Sequence, residues 1–242
     1  MEVWHCRKYK YYGLLGFLLS TTVNAQTTPD FVTWSDFNYN HTLKTNWSIG
    51  ADAGVRGLIS DPDWTSIYLR PILIYGINDQ LNVGFSVAAF NNFNKVMPDV
   101  FEFRPAQEVN LVWPHTKRWN LKSRVRLEER YFQREIRHGF HVAHPQWEFR
   151  GRYELRFNTE HFDFGFMKDM YILASGEYFF SLSTEAEQIF ANQSRLLIGY
   201  GQGTGERWSH ELHFFWLRIR NTFEESLQTD QYVLRLRVFL RN

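Results

Sequence analysis

The sequence has one cysteine in 242 residues, Cys6, which lies in the basic start of the chain, ahead of an apolar stretch. This position excludes a lipoprotein cysteine. The absence of further cysteines excludes disulfides, zinc–thiolate sites and cysteine nucleophiles in the rest of the chain. There is also no run of ~18 or more apolar residues, so a membrane protein built from several helices is excluded.

The chain also has almost no net charge and few lysines. The net charge is +1, so the chain lacks the basic excess of a general nucleic-acid binder. After residue 25 there are 5 lysines against 19 arginines. Solvated surfaces use lysine readily, whereas arginine is preferred where charges are enclosed and pair with carboxylates through a rigid fork. The composition therefore indicates an enclosed charged surface.

The first 25 residues have the pattern of a secretory signal peptide. Three basic residues among the first ten are followed by a mostly apolar stretch over residues 11–23 and by small residues that end at Ala25. An apolar stretch of roughly 13 residues is too short to span a membrane. We therefore expect cleavage after Ala25, which leaves residues 26–242 as a single domain.

After Ala25, apolar and polar residues alternate with the period of two that is typical of β-strands. Most of these segments run ~10–14 residues, close to the ~9–11 that a tilted strand needs to cross a bilayer and longer than the ~5–6 usual in soluble proteins. The predicted strands are 31–40, 45–58, 65–77, 80–94, 102–113, 119–133, 146–158, 169–180, 193–201, 208–219 and 230–241.

Short and long connections alternate between these segments, which is typical of an up-and-down barrel in an outer membrane. The predicted fold is therefore all-β, a single transmembrane antiparallel barrel. Eleven visible strands conflict with the even numbers of bacterial single-chain barrels. We expect about twelve strands, the missing one lying within 159–170, with ten as the alternative if residues 31–40 do not join the barrel.

The polar faces of two neighbouring strands carry complementary charges. Residues 124–130 place Arg, Arg, Glu and Arg on one face, and residues 148–156 place Glu, Arg, Arg, Glu and Arg on one face of the next strand. Facing each other across a hairpin, they would form a ladder of Arg–Glu pairs. We therefore expect the charged face inside and the apolar face towards lipid. A periplasmic lipid-binding barrel with the opposite orientation is the alternative.

The predicted lumen charge network has fifteen members. Its role is open between a structural filling that plugs a narrow lumen and a charged lining that selects ions. The members are Arg124, Arg126, Glu128, Arg130, Glu148, Arg150, Arg152, Glu154, Arg156, Glu177, Arg195, Glu211, His213, Arg235 and Arg237.

Aromatic residues near strand ends resemble the girdles that outer-membrane barrels carry at both interfaces. This feature favours the membrane interpretation over ordinary core aromatics. The predicted girdle residues are Trp64, Tyr75, Trp113, Trp119, Trp147, Tyr178, Phe179 and Phe180.

Four segments together resemble an uncharacterised outer-membrane barrel family, domain of unknown function 2490. They are RVRLEER at 124–130, the Arg-rich strand at 148–157, GEYFF at 176–180 and SRLLIGY at 194–200. The resemblance covers nearly all of the chain after Ala25 and implies a Gram-negative outer membrane, but it brings no activity. One departure is the C-terminus, where Phe239 is followed by three more residues, although outer-membrane barrels often end on an aromatic.

Three histidines, His138, His141 and His144, have a spacing of three within the longest loop. Imidazoles three apart on a helical turn would share one face and bind a metal such as zinc. Gly139 and Pro145 argue against a regular helix here. We interpret the segment as an exposed loop and assign no metal.

Two further patterns imitate catalytic motifs. Residues 209–211 read Ser-His-Glu, but adjacent strand residues point to opposite faces and do not form a hydrolytic triad. Glycines alternate through 199–205, but a strand and turn flank them rather than the strand and helix of a phosphate loop. We assign no catalytic residue and no cofactor.

These observations predict a non-enzymatic outer-membrane barrel with a structural or envelope-associated role. Its partners would be outer-membrane lipid and the machinery that inserts barrels, without nucleic acid. A narrow channel for small solutes is the first alternative. A lipid-modifying enzyme is the second.

Overall fold

A computed structural model describes residues 30–59, 63–95, 98–114, 119–134, 146–182, 193–220 and 228–242. The predicted signal peptide lies outside the described residues, and so does the loop with His138, His141 and His144. No helix of the described residues has the length and apolar character needed to cross a membrane.

The regular structure of the described residues consists of twelve strands. Eleven of them have 12 to 16 residues, and β8 has three. The strands are β1 Asp30–Lys44, β2 Trp47–Leu58, β3 Trp64–Gly76, β4 Leu81–Asn94, β5 Val100–Val112, β6 Trp119–Arg134, β7 Gln146–Thr159, β8 Phe162–Phe164, β9 Met167–Ser181, β10 Gln193–Thr204, β11 Trp208–Arg220 and β12 Gln228–Arg241.

Eleven strands close into a barrel, and β8 is an extra short strand beside β9. A twelfth strand does lie within 159–170 as predicted, but it has three residues and lies outside the ring, so the barrel has eleven strands rather than the expected twelve. Residues 31–40 do join the barrel. Neighbours along the ring are antiparallel, except that β1 pairs with β12 in parallel, from Asp30 opposite Gln231 to Asn40 opposite Arg241. This closure differs from the expected even count. In an alternating ring of odd number, the first and last strands run in the same direction.

The connections differ in length at the two ends of the barrel. Short turns join β1 to β2, β3 to β4 and β10 to β11 at one end, here called the turn end. The Asn78 side chain accepts hydrogen bonds from the backbone N–H groups of Gln80 and Leu81, at 2.9 and 2.8 Å, in one of these turns. Gly205 forms another with φ +76°, a conformation that glycine adopts without strain. The two longest connections, residues 135–145 and 182–192, lie at the opposite end, the loop end.

The barrel has its apolar face outside and its charged face inside. Leu127, Leu155 and Leu234 are 40 to 50% exposed on the outer face. Glu128 and His213, which follow the inward parity, are 1% exposed. The orientation predicted from the arginine-rich polar face is therefore correct.

Exposed aromatic side chains lie along the turn end of the outer face. Trp47 contacts Tyr75 at a ring distance of 4.8 Å, and Trp119 contacts Phe157 at 5.8 Å. The predicted girdle residues that are exposed are Tyr75, Trp113 and Trp119 at the turn end and Trp147 and Tyr178 towards the loop end.

The girdle prediction is wrong for Trp64 and Phe179, which both line the interior. Nearness to a strand end does not decide the face. Trp64 and Phe179 have the parity of their inward-facing neighbours Ser66 and Glu177, both of which are buried. Their rings therefore point into the lumen.

Candidate functional site in the barrel lumen

Strands β6 and β7 form the centre of the charge network. In their register Arg124 faces Glu154, and Glu128 faces Arg150. Arg124 Nη2 lies 2.5 Å from Glu154, and Arg150 Nε donates to Glu128 over 2.8 Å. A third rung, Arg130 to Glu148, is closed at 3.3 Å. Opposite charges thus face each other across the hairpin, as the sequence pattern predicted.

Two rungs bring like charges together, Arg126 opposite Arg152 and Lys122 opposite Arg156, and the first of them is enclosed. Like charges directly opposite are destabilising, and each guanidinium of the enclosed rung turns to a carboxylate elsewhere. Arg126 Nε donates to Glu108 on β5 over 2.7 Å. Arg152 donates to Glu128 and to Glu177 on β9, both over 2.6 Å. This rung therefore connects β5, β6, β7 and β9.

Glu177 on β9 is shared by three arginines. Arg152, Arg124 and Arg195 lie 2.6, 3.2 and 3.1 Å from its oxygens. These arginines come from β7, β6 and β10, so one buried side chain joins three other strands to β9. Charge-assisted bonds of this kind are short and geometrically specific.

A second centre lies around Glu211 on β11. Tyr171 Oη and Arg156 Nη2 each donate to Glu211 over 2.7 Å, and His213 Nε2 lies 2.8 Å from it. Tyr171 belongs to β9 and Arg156 to β7. The Arg156 contact therefore crosses the lumen between strands that are not neighbours.

A third centre holds the parallel seam between β1 and β12. Asp36 on β1 forms an ion pair with Arg235 on β12, and Tyr68 Oη on β3 donates to Asp36 over 2.7 Å. Arg237 on β12 donates to the side-chain oxygen of Asn38. Charged contacts thus reinforce the pair of strands that closes the barrel.

A cavity of about 700 Å³ remains beside these ion pairs. Its lining runs from Leu58 and Phe132 near the loop end to Arg156 and Arg237, which lie in the turn-end half of β7 and β12. Twelve arginines and five glutamates contribute to it. Four further carboxylates pair with lining arginines, namely Asp36, Asp52, Glu108 and Glu211. Within the described residues, arginines therefore outnumber the carboxylates around this cavity.

A protein-family model described as "Protein of unknown function (DUF2490)" matches residues 31–228. The chain belongs to this family. The match spans the strands from β1 to the first residue of β12 and includes the three charge centres apart from Arg235 and Arg237. No curated protein matches the sequence.

In this DUF2490 barrel, all fifteen residues of the predicted network line the lumen or form ion pairs within it. The sequence prediction missed several charged residues that also face inward, some of which pair with members of this network. The missed residues are inward-facing and were detectable from parity, since Glu102, Arg104 and Glu108 alternate with the outward Phe101, Phe103 and Val109. The other missed charged residues are Asp36, Asp52, Arg56 and Arg70.

The residues at 209–211 do not come together in the DUF2490 barrel. Ser209 and Glu211 are buried on the inner face, whereas His210 between them contacts Thr204 at the turn end. The histidine beside Glu211 is His213, two positions further along the same face. In the described part of the chain, no group of three His, Cys, Asp or Glu side chains is placed to hold a metal ion.

The alternating glycines belong to β10 and the turn after it, as predicted. They make room for inward side chains of the neighbouring strands. A Cβ on Gly201 would lie 2.5 Å from the Tyr171 hydroxyl and 2.6 Å from Cε1 of its ring. Glycine at this position therefore allows Tyr171 to reach Glu211.

We expect Gly201→Ala to destabilise the barrel by about 1–3 kcal/mol, the usual cost of overpacking a packed interior. The Tyr171 ring must move, which breaks its bond to Glu211. Urea unfolding followed by tryptophan fluorescence measures the loss. Gly176→Ala is the matched control, because its Cβ would meet only Leu196 at 3.7 Å, an ordinary contact. Equal stability of the two variants would contradict the packing argument.

Proposed function

We propose that the protein is an integral outer-membrane barrel of a Gram-negative bacterium, exported with cleavage near Ala25, that acts without catalysis in envelope structure. The inverted polarity of the barrel carries this proposal, since its outer face is apolar and its lumen charged. An extended apolar surface of this kind is avoided in water. It matches the apolar outer band of membrane barrels.

Two further features support the placement in a membrane. Exposed aromatic residues, among them Trp47, Trp119 and Trp208, lie at the turn end, where membrane barrels carry an aromatic girdle. The closed ring also leaves no free edge among its eleven strands, as hydrocarbon surroundings require. The expected partners are outer-membrane lipid and the machinery that inserts barrels.

We further propose that the ion pairs block the lumen. Arg156 on β7 reaches Glu211 on β11, and Arg124 on β6 reaches Glu177 on β9. Both contacts bridge strands that are not adjacent in the ring. Glu211 and Glu177 each bind several partners, so these side chains are fixed in the lumen. Fixed side chains across the lumen argue against steady passage of solutes.

Recordings from planar bilayers are expected to show no discrete, steady current steps. The sample is protein purified after expression of the full chain. Its insertion is first demonstrated by protection from protease. A porin with an open channel, added to the same bilayer, shows that the bilayer reports conductance. Discrete steps from the inserted protein would contradict the blocked lumen.

A channel for small anions is the second candidate, favoured by the excess of arginines around the cavity. Arginine rings bias a pore towards anions. If steps occur, they should favour chloride over potassium, and Arg126→Gln or Arg152→Gln should reduce that preference. A cation-selective current would exclude this second candidate.

A further inference from the structure

The two sides of the cavity differ in chemical character. Strands β5, β6 and β7 supply paired charges such as Glu102, Arg126 and Arg152. The opposite side holds an apolar and aromatic cluster, in which Val32 and Trp34 are packed and against which Leu58, Trp64 and Leu197 lie. Arginines with carboxylate partners, Arg195, Arg235 and Arg237, lie beside this cluster. An amphipathic cavity of this kind fits a ligand with a polar end and an apolar end.

Arg56 on β2 lies within this apolar side. The carbon at the centre of its guanidinium is 4.2 Å from the Trp34 ring centroid, 5.0 Å from that of Tyr68 and 5.2 Å from that of Phe90. Cation–π attraction explains the aromatic neighbours. Arg56 therefore sits in a cage of three aromatic rings at the cavity wall.

Arg56 differs from the other cavity arginines in its lack of polar partners. Among the described residues it has no ion pair and no hydrogen bond, and its Nε is buried without an acceptor. Asp36 is nearby, but Arg235 and Tyr68 occupy it. An enclosed guanidinium without a carboxylate partner is unfavourable. The N–H donors of Arg56 are therefore available to bind the carboxylate of a ligand.

The surroundings hold this arrangement in place. Tyr68 donates to Asp36, which fixes the ring that flanks Arg56. Gly54, the previous inward residue of β2, leaves room for that contact, because a Cβ there would lie 2.6 Å from Cε1 of Tyr68. The site is thus built before any ligand arrives, which reduces the ordering cost of binding.

We propose that the cavity binds an anionic amphiphile, with its carboxylate or phosphate head on Arg56 and its apolar chain along Trp34, Leu58 and Trp64. A guanidinium accepts either head group through two parallel hydrogen bonds. The cavity of about 700 Å³ lies within the ~300–1,000 Å³ usual for small-molecule sites. Its apolar side receives the chain. This binding role goes beyond the structural role proposed above and does not depend on whether the lumen conducts.

The test uses a photoreactive dodecanoate and the protein purified after expression of the full chain, held in lipid nanodiscs. After illumination, mass spectrometry maps the labelled peptides. We expect labelling of the peptides that carry Trp34, Leu58 and Trp64, saturable and competed by excess dodecanoate. Dodecyl phosphate competition shows whether the site also accepts phosphate. Label on outward residues such as Leu234 reports partitioning into lipid.

Three variants and a competitor distinguish the proposed site from lipid background. Arg56→Gln should weaken cavity labelling at least tenfold and leave the label on outward peptides unchanged. Arg56→Lys, which keeps the charge without the fork, should lie between wild type and Arg56→Gln. Arg207→Gln is the matched control, since Arg207 is exposed in the turn between β10 and β11. Dodecyltrimethylammonium should not compete.

Several results would overturn the proposal. They are cavity labelling that Arg56→Gln leaves intact, labelling restricted to outward peptides, and competition by the cationic amphiphile. Far-UV circular dichroism and the shift between unheated and heated gel samples establish that each variant is folded. Failure of the membrane placement would appear separately, as protein that stays soluble without lipid or detergent.

Discussion

Replacing Leu127 with arginine is expected to destabilise the bilayer-embedded barrel by about 2–4 kcal/mol. Leu127 lies near the middle of β6 and is 46% exposed on the outer face. A charged side chain at this depth would be transferred from water into the hydrocarbon core of the bilayer. In water, the same substitution would place arginine on an exposed surface and cost little. The effect therefore distinguishes an embedded barrel from a soluble one.

The measurement is reversible unfolding by urea in lipid vesicles, followed by tryptophan fluorescence. Leu43→Arg is the matched control, because Leu43 is 50% exposed and lies at the turn end of β1, where the pairing with β2 shifts register. Its expected cost is about 0–1 kcal/mol, as found near membrane interfaces. Equal stability of the two variants, or a chain recovered folded from the soluble periplasmic fraction, would contradict the membrane placement.

Replacing Glu128 with alanine is expected to cost about 3–5 kcal/mol, the usual effect of removing one partner from a buried ion pair. The Glu128 side chain is fully buried between Arg150 and Arg152, at 2.5 and 2.6 Å. Arg152 retains Glu177 after the change, whereas Arg150 loses the carboxylate opposite it. An enclosed guanidinium would then be left without compensation.

A second substitution tests whether the loss arises from the pair itself. Arg150→Ala in the Glu128→Ala background should recover part of the stability, since the uncompensated charge is removed. Glu206→Ala, in the exposed turn after Gly205, should change the free energy of unfolding by less than about 0.5 kcal/mol. A loss for Glu128→Ala no larger than that for Glu206→Ala would show that the network adds little to stability.

The strand pattern and its orientation followed from local features. Alternation places Leu127 and Glu128 on opposite faces wherever the strand lies, because successive side chains of a strand point to opposite sides. The excess of arginine over lysine then indicated which face is enclosed. The meeting of the two charged faces of β6 and β7 was likewise predictable, since a hairpin brings neighbouring strands together. The register that places Glu128 opposite Arg150 came from the structure.

Other contacts depended on closure of the ring. The partners of Arg126 and Arg152 lie on β5 and β9 because the hairpin sets these two arginines against each other. Position in the chain does not indicate that Arg156 reaches Glu211 across the lumen. The girdle prediction failed for Trp64 because it used nearness to a strand end and not the alternation of faces along the strand.

The sequence by itself determined an all-β barrel, the length of its strands, the enclosed charged face and the family. The first three rest on composition or on a period of two, which neighbouring residues express without the rest of the chain. The family rests on the resemblance of four short segments. Only the tertiary structure decided the eleven-strand ring with its parallel seam, the cavity and the isolation of Arg56 among three aromatic rings. These features arise between strands distant in sequence, and their geometry is set by how the whole sheet tilts and closes.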